Sequence, residues 1–421
     1  AGNVGINTGD DPTAKFQVDG ADILIHGVAI GRGLGSIATN TVLGNNALDA
    51  NTTGANNVAI GDEALTANTS GASNTAVGAG SLESVTTASA NTAVGRTALQ
   101  NNTGANNTAV GHASLLDNTT GTQNVAVGYA AANSNTTSNA ITAVGYNSLT
   151  NTTGGENTAV GYNSLALNTS GINNVAVGSR ALDANTTANN NTGVGYASLG
   201  ANTTGASNAA LGTAALQVNT TGTKNTAVGA NALDANTTAN NNTAVGYEAL
   251  GANTDGTRNT AVGSLALDAN TTADRNTAVG YQALTDNVNG TRNTGLGDGA
   301  LGETTSGSYN TAVGQAALNK NTTASNNVAV GYDALGVNTT GHQNTAVGAL
   351  ALDSTTTGQD NVAVGFEAGN GITTASSCTF IGSEAGHDNT ASSNTGIGKR
   401  ALFENTSGDQ NTAVGKDALY N

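Results

Sequence analysis

A chain of 421 residues with 58 Gly, one Pro, no Trp, no Met and only 10% charged residues does not have the make-up of an ordinary globular protein of two or three domains. Its formal charge of −16 argues against nucleic acid or an anionic membrane as partner, since phosphate binding needs clustered Lys and Arg. No apolar run approaches a membrane span, and the single cysteine, Cys378, excludes a disulfide framework within the chain.

The chain opens on Ala1 without Met or a signal-like segment, and so reads as a mature or truncated piece. Residues 1–31 stand outside the repeat that follows and are expected to form an N-terminal β cap or adaptor. A short strand, a turn at Asp10-Asp11-Pro12 and the alternating pair Phe16 and Val18 are followed by Ile23, Ile25 and Val28, which keep a period of two. The open end of a stacked fold exposes unpaired strand edges, and such a segment would cover them.

Residues 32–421 are organised by the motif Asn74-Thr75-Ala76-Val77-Gly78 and its variants. Twenty-three such glycines, from Gly44 to Gly415, stand 17 residues apart except for three steps of 16, which end at Gly111, Gly161 and Gly398. Disordered Gly-rich chains have no reason to hold an aliphatic residue at a fixed phase, so the period predicts a solenoid of about 23 coils. With the glycine as position 0, position −1 is Val, Ile or Leu and position +3 is Ala or Ser in every coil. Position +4 is Leu except at Ala132, Gly369 and Gly386, and position −4 is Asn except at Ile141 and Cys378.

Asn, Thr and Gly are poor helix formers, whereas Thr-Ala-Val suits a strand and Asn-Thr-Thr-Gly a turn. Each coil is therefore expected to hold two short strands, one ending at Val and one carrying Ala-Leu, with a Gly corner and a longer polar turn. Parallel stacking at about 4.8 Å per coil would give a rod of about 110 Å. Glycine at the corner suits positive φ or close backbone approach. The Asn row at −4 is expected to hydrogen-bond from coil to coil as amide ladders do, a reading preferred to glycosylation at the Asn-Thr-Thr triplets. Val245 is expected to point inward and Tyr247 outward. Ala and Val are neighbours on the strand and face opposite sides, yet both are apolar, so one side wants a second apolar surface from another subunit.

Chemistry is sparse. His26, His112, His342 and His387 fall at different phases, so no metal cluster, cofactor site or base–nucleophile pair is expected, and the chain is read as a non-enzyme. Asp183, Asp234, Asp268 and Asp353, all at +5, are expected to form a solvated face. Cys378, with Gly369 and Gly386 nearby, marks the main irregularity. Tyr129, Tyr146, Tyr162, Tyr196, Tyr247, Tyr281 and Tyr332 all lie at +1 and form a candidate surface-binding stripe; packing against the turn is the competing role. An ice-binding surface ranks third as a function, because the paired Thr residues are adjacent and diverge.

Strings such as Asn57-Val58-Ala59-Ile60-Gly61 and Asn124-Val125-Ala126-Val127-Gly128, with Ala or Ser three residues on, resemble the head repeats of trimeric autotransporter adhesins. That family's repeat is shorter, so the polar turn here would be an insertion. The resemblance implies an all-β, left-handed parallel β-roll in a homotrimer. The opening Gly2-Asn3-Val4-Gly5-Ile6, Asp11-Pro12 and Ala14 to Gly20 are similar to the module that precedes such repeats in bacteriophage tail fibres. That implies a virion attachment fibre, with further copies of the chain, other tail or baseplate proteins and a host-surface receptor such as a glycan as partners. A bacterial surface adhesin is the alternative, although the chain shows neither a heptad stalk nor a membrane anchor.

Overall fold

A computed structural model of the chain describes residues 23–25, 28–35 and 37–420 and divides into two compact units, Ala1–Gly171 and Ile172–Asn421. The strand, turn and alternating pair expected between residues 2 and 18 lie outside the described residues, as does His26.

In the first unit, β1 (Ile23–Ile25) and β2 (Val28–Gly31) pair antiparallel, and β2 pairs antiparallel with β3 (Thr41–Gly44). On its other side β3 pairs parallel with the strand Val58–Ile60. The first strand of the repeat thus has both edges occupied, which removes an open template for pairing. From there to Thr158–Val160 each coil adds one three-residue strand, parallel and in register with the next, as in Thr75↔Thr92, Ala76↔Ala93 and Val77↔Val94. The second unit repeats this from Val175–Val177 to Thr412–Val414. No described residue is helical. Each unit is an all-β parallel solenoid with coils of about 17 residues.

The strand faces are the reverse of the expectation for Val245. In nearly all coils the middle residue of the strand, such as Ala244, is fully buried, while Thr243 and Val245 on either side are half-exposed. Alternation allows only one of the three to point inward, and the interior is narrow enough that a methyl group fills that position. The volume of the core comes instead from Leu at +4, which is fully buried in most coils.

The expected second strand through Ala-Leu is not formed. Positions +1 to +6 are a run of turns in which +2 and +4 take the left-handed conformation, for example Glu63 at φ 57° and Leu65 at φ 54°. A left-handed Leu costs about 1–2 kcal/mol. It persists because the stack satisfies the backbone that it re-aims: Glu63 N donates to Asn45 O at 2.9 Å and Leu65 N donates to Ser81 O at 3.0 Å, one bond to each adjoining coil. Coil-to-coil bonding therefore continues through the turn without strand geometry.

The Asn row at −4 is largely buried and bonds from coil to coil as expected, with amide-to-amide bonds from Asn91 Nδ2 to Asn74 Oδ1 and from Asn310 Nδ2 to Asn293 Oδ1, both at 3.2 Å, but most of its bonds go to backbone. Asn57 Oδ1 accepts from Asn74 N at 2.9 Å and its Nδ2 donates to Gly71 O at 2.8 Å, and Asn225 repeats this with Asn242 N and Ala239 O. The side-chain ladder runs along +7, in what the sequence suggested was only a turn. There Asn68 Nδ2 donates to Asn51 Oδ1 at 3.1 Å and Asn219 Nδ2 to Asn202 Oδ1 at 2.8 Å. Thr at +8 adds a third row, its hydroxyl donating to the next coil's carbonyl, as from Thr220 to Thr237 O at 3.1 Å.

Gaps in the +7 ladder leave buried acceptors unpaired. Asn68, Asn287 and Asn338 have Oδ1 atoms without a partner, and one coil later stand Val85, Thr304 and Thr355 in place of Asn. An unsatisfied buried acceptor costs about 1–3 kcal/mol. Thr304→Asn is accordingly expected to stabilise the second unit by about 1 kcal/mol, read as a higher denaturant midpoint. An unchanged or lower midpoint would contradict the ladder argument.

Candidate binding surface

The +1 and +5 rows lie within the run of turns and carry most of the chain's aromatic side chains, together with Asp183, Asp234, Asp268 and Asp353. The seven tyrosines of the expected stripe are each about half exposed. In the first unit consecutive coils carry rings, and these stack: His112–Tyr129 at 5.3 Å, Tyr129–Tyr146 at 5.1 Å and Tyr146–Tyr162 at 5.6 Å between centroids, with planes within 16°. Their inner faces cover one another, so this ladder presents ring edges and hydroxyls. In the second unit Tyr196, Tyr247, Tyr281 and Tyr332 alternate with non-aromatic neighbours such as Thr213, Ser264 and Ala349, and no ring stands beside them in the adjoining coils. The structure therefore brings three of the seven together and separates four. A second stack, His387–Phe403–Tyr420 at 5.0 and 4.9 Å, lies on the +5 row; its signal was the shared phase of unlike aromatic residues.

Asp183, Asp234, Asp268 and Asp353 are half-buried, not a fully solvated face. Burial raises the pKa of all four carboxyls above the ordinary value, and at Asp268 the charges of Glu248, Asp234 and Asp286 add to it. A raised folded-state pKa favours the protonated form, so this stabilising contribution is complete below the ordinary carboxylate pKa and is lost as pH rises through the raised values. The Arg400 guanidinium, 2.5 Å from Glu384, lowers the Glu384 pKa and works in the opposite direction, but that pair is partly exposed and weak. The denaturation midpoint of the second unit is expected to be higher near about pH 4 than at neutrality. Asp268→Asn is expected to raise the neutral midpoint and narrow the difference. A midpoint that falls on mild acidification would overturn this account.

Between Asp183 and Gln217 the +5 row carries Gly200, and the missing side chain leaves a recess of about 270 Å³ lined by Arg180, Asp183, Tyr196, Gly200, Gln217 and Val218. Among the described residues no group of three or more His, Cys, Asp or Glu is placed to hold a metal ion, and no helix is long and apolar enough to cross a membrane. Cys378 is buried; burial raises its thiol pKa, and its sulfur lies 3.8 Å from Asn389 Nδ2, so it occupies the Asn row as a packed group and not as a reactive thiolate. His342 Nδ1 accepts from Ser325 N at 2.9 Å.

Comparison with protein families finds no matching family model, and comparison with curated proteins finds no matching protein.

Proposed function

We propose that the chain is a non-enzymatic attachment fibre in which three copies associate along their solenoids and offer a repeated surface to a host cell. The observation that carries this reading is the outer face of the strands. Positions −3 and −1 hold Thr, Val, Ile, Leu or Ala with no charged residue in any of the 23 coils, and many are substantially exposed, such as Val94, Val127, Leu211 and Ile381. An uncharged face in which an aliphatic row at −1 runs beside a row mostly of Thr at −3, continuing from coil to coil within each unit, is more than a single chain needs, and suits burial against other copies.

Three copies and a left-handed winding are what the resemblance of the Asn-x-Ala-Val-Gly strings to autotransporter heads implies. The tail-fibre form takes precedence over a bacterial adhesin because residues 2–20 resemble the module that precedes such repeats in phage fibres. In that setting the chain stands outside the cell on the virion, anchored through other tail or baseplate proteins, with a surface glycan as the contact. Ice binding is disfavoured because the hydroxyls of the +8 Thr row are tied to backbone carbonyls.

Sedimentation equilibrium is expected to give three times the 40.9 kDa of one chain. Replacing Val228, Val245 and Val262 together with Asp should leave the β circular-dichroism signal and dissociate the assembly, because three unpaired charges would enter the interface. A folded wild-type monomer would remove the trimer. Labelled trimer that fails to be retained on any panel of bacterial cells would remove the attachment role.

A further inference from the structure

Position +5 forms a row of side chains that meet their neighbours one coil away. Gln100 Nε2 donates to Glu83 Oε2 at 2.6 Å, so two adjacent long polar members of the row satisfy each other, while Asn133 and Asn319 donate to backbone carbonyls. Glycine interrupts the row at Gly200, Gly251, Gly302 and Gly336, and three of these interruptions are filled by a neighbouring polar group. A Cβ built on Gly251 would lie 3.0 Å from Asp268 Oδ1, on Gly302 2.8 Å from Asn319 Nδ2, and on Gly336 2.0 Å from Asp333 Oδ1. At Gly200 the three nearest atoms to such a Cβ all belong to the backbone of Ala197 in the same coil, and none of them to a neighbouring polar group. The space above Gly200 is open, and it is the recess of about 270 Å³.

We infer that this recess binds one neutral hexose ring of a surface saccharide, an assignment that rests on the attachment reading and names its contact. Asp183 and Gln217 stand two coils apart, roughly 10 Å along the stack, too far to pair with each other as Glu83 and Gln100 do. Both border the recess, with room for a ring between them. A carboxylate, an amide and the Arg180 guanidinium each carry two hydrogen-bonding atoms in one plane, the pattern that matches adjacent hydroxyls. Tyr196, half-exposed with no ring beside it in the adjoining coils, supplies an aromatic wall for the C–H face of a sugar, and Val218 supplies an aliphatic one. Arg180 and Asp183 attract each other and balance in charge, which selects a neutral ring over a sugar acid or a phosphate. One shallow contact is weak by itself, and three copies in an assembly would raise it by avidity.

The test is saturation-transfer NMR on the full chain with methyl gluco-, galacto- and mannopyranosides, and with glucuronate as the charged probe. Wild type is expected to transfer to at least one neutral glycoside and not to glucuronate. Gly200→Asn fills the recess with a side chain that the row already carries at Asn133 and Asn319, so the coil remains folded by circular dichroism, and transfer should fall at least tenfold. Tyr196→Ala should reduce transfer to the ring C–H protons. Equal transfer to wild type and Gly200→Asn, stronger transfer to glucuronate, or none from wild type would each overturn the assignment. Retention of the same proteins on bacterial cells separates the two readings. Cells held equally by wild type and Gly200→Asn would remove the recess as the contact and leave the fibre an attachment protein. Sugar binding lost in Gly200→Asn, with no cell ever held, would keep the recess and remove the attachment role.

Discussion

Phe380→Ala is expected to destabilise the second unit by about 3–5 kcal/mol. Phe380 is fully buried at the −2 strand position, where every other coil carries Ala or Gly except the first, which carries Val42. The coil's own +4 residue, Gly386, and that of the preceding coil, Gly369, stand where other coils place Leu. A Cβ on Gly386 would lie 2.4 Å from Phe380 Cδ1 and Cε1, and one on Gly369 3.3 Å from Cδ2. The ring thus fills the space of the missing leucine at Gly386 and shares that at Gly369 with Leu352 and Ile372, and removing it leaves a cavity that the regular stack cannot collapse into. Gly386→Leu alone should also be destabilising, because the new side chain meets the ring. Together, Phe380→Ala and Gly386→Leu restore the residue pair of an ordinary coil. Gly386 already has φ 63°, close to the 55° of Leu402, so Leu meets no more backbone strain there than in its neighbour. The double variant should recover most of the loss, a coupling of the kind a mutant cycle isolates. Additive costs in urea unfolding would show that ring and leucine do not share this space.

The corner glycines should be equally intolerant. All 23 have φ between 126° and 159°, and a Cβ on Gly246 would lie 2.4 Å from Gly263 O and 2.6 Å from its carbonyl carbon. Gly246→Ala therefore combines backbone strain of about 1–3 kcal/mol with overpacking of about 1–3 kcal/mol, for a loss of about 2–6 kcal/mol. Gly251→Ala is the control, since its nearest neighbour would be the movable carboxylate of Asp268 at 3.0 Å and its φ is not in the positive range. Its midpoint should shift far less. Equal shifts for the two would mean that composition, and not corner geometry, keeps glycine at Gly246.

Period, strand and corner were legible because each depends on residue type at a fixed phase. Thr-Ala-Val is a strand in the structure, and the glycine after it has the positive φ that its recurrence suggested. The Ala-Leu segment was misread because a left-handed Leu has no propensity signal; only the backbone of the adjoining coils makes that conformation stable. Val245 was misplaced for a related reason. Two apolar neighbours on a strand do not reveal which of them faces inward, and the narrowness of the interior decides for Ala244. The +7 amide ladder was present in the sequence as Asn51, Asn68, Asn102 and their successors, yet Asn-Thr-Thr read locally is turn chemistry. Of the candidate surface, the tyrosine phase was visible, and the four raised carboxyls were named but assigned to solvent. The recess at Gly200 was not visible, because it depends on which neighbouring side chains leave a gap unfilled.

The in-register bonding of coil to coil has a mechanical consequence. Strand, turn, amide and Thr rows all join a coil to its immediate neighbours, so a pull on a chain end loads the outermost coil first. Each coil that detaches lengthens the chain by about 17 residues, roughly 60 Å of extended backbone. The next coil then meets the load with the same set of bonds. Tension is thereby taken up in many similar steps, each dissipating work, and a tether built this way can yield under a sudden drag while the coils behind the break keep their structure.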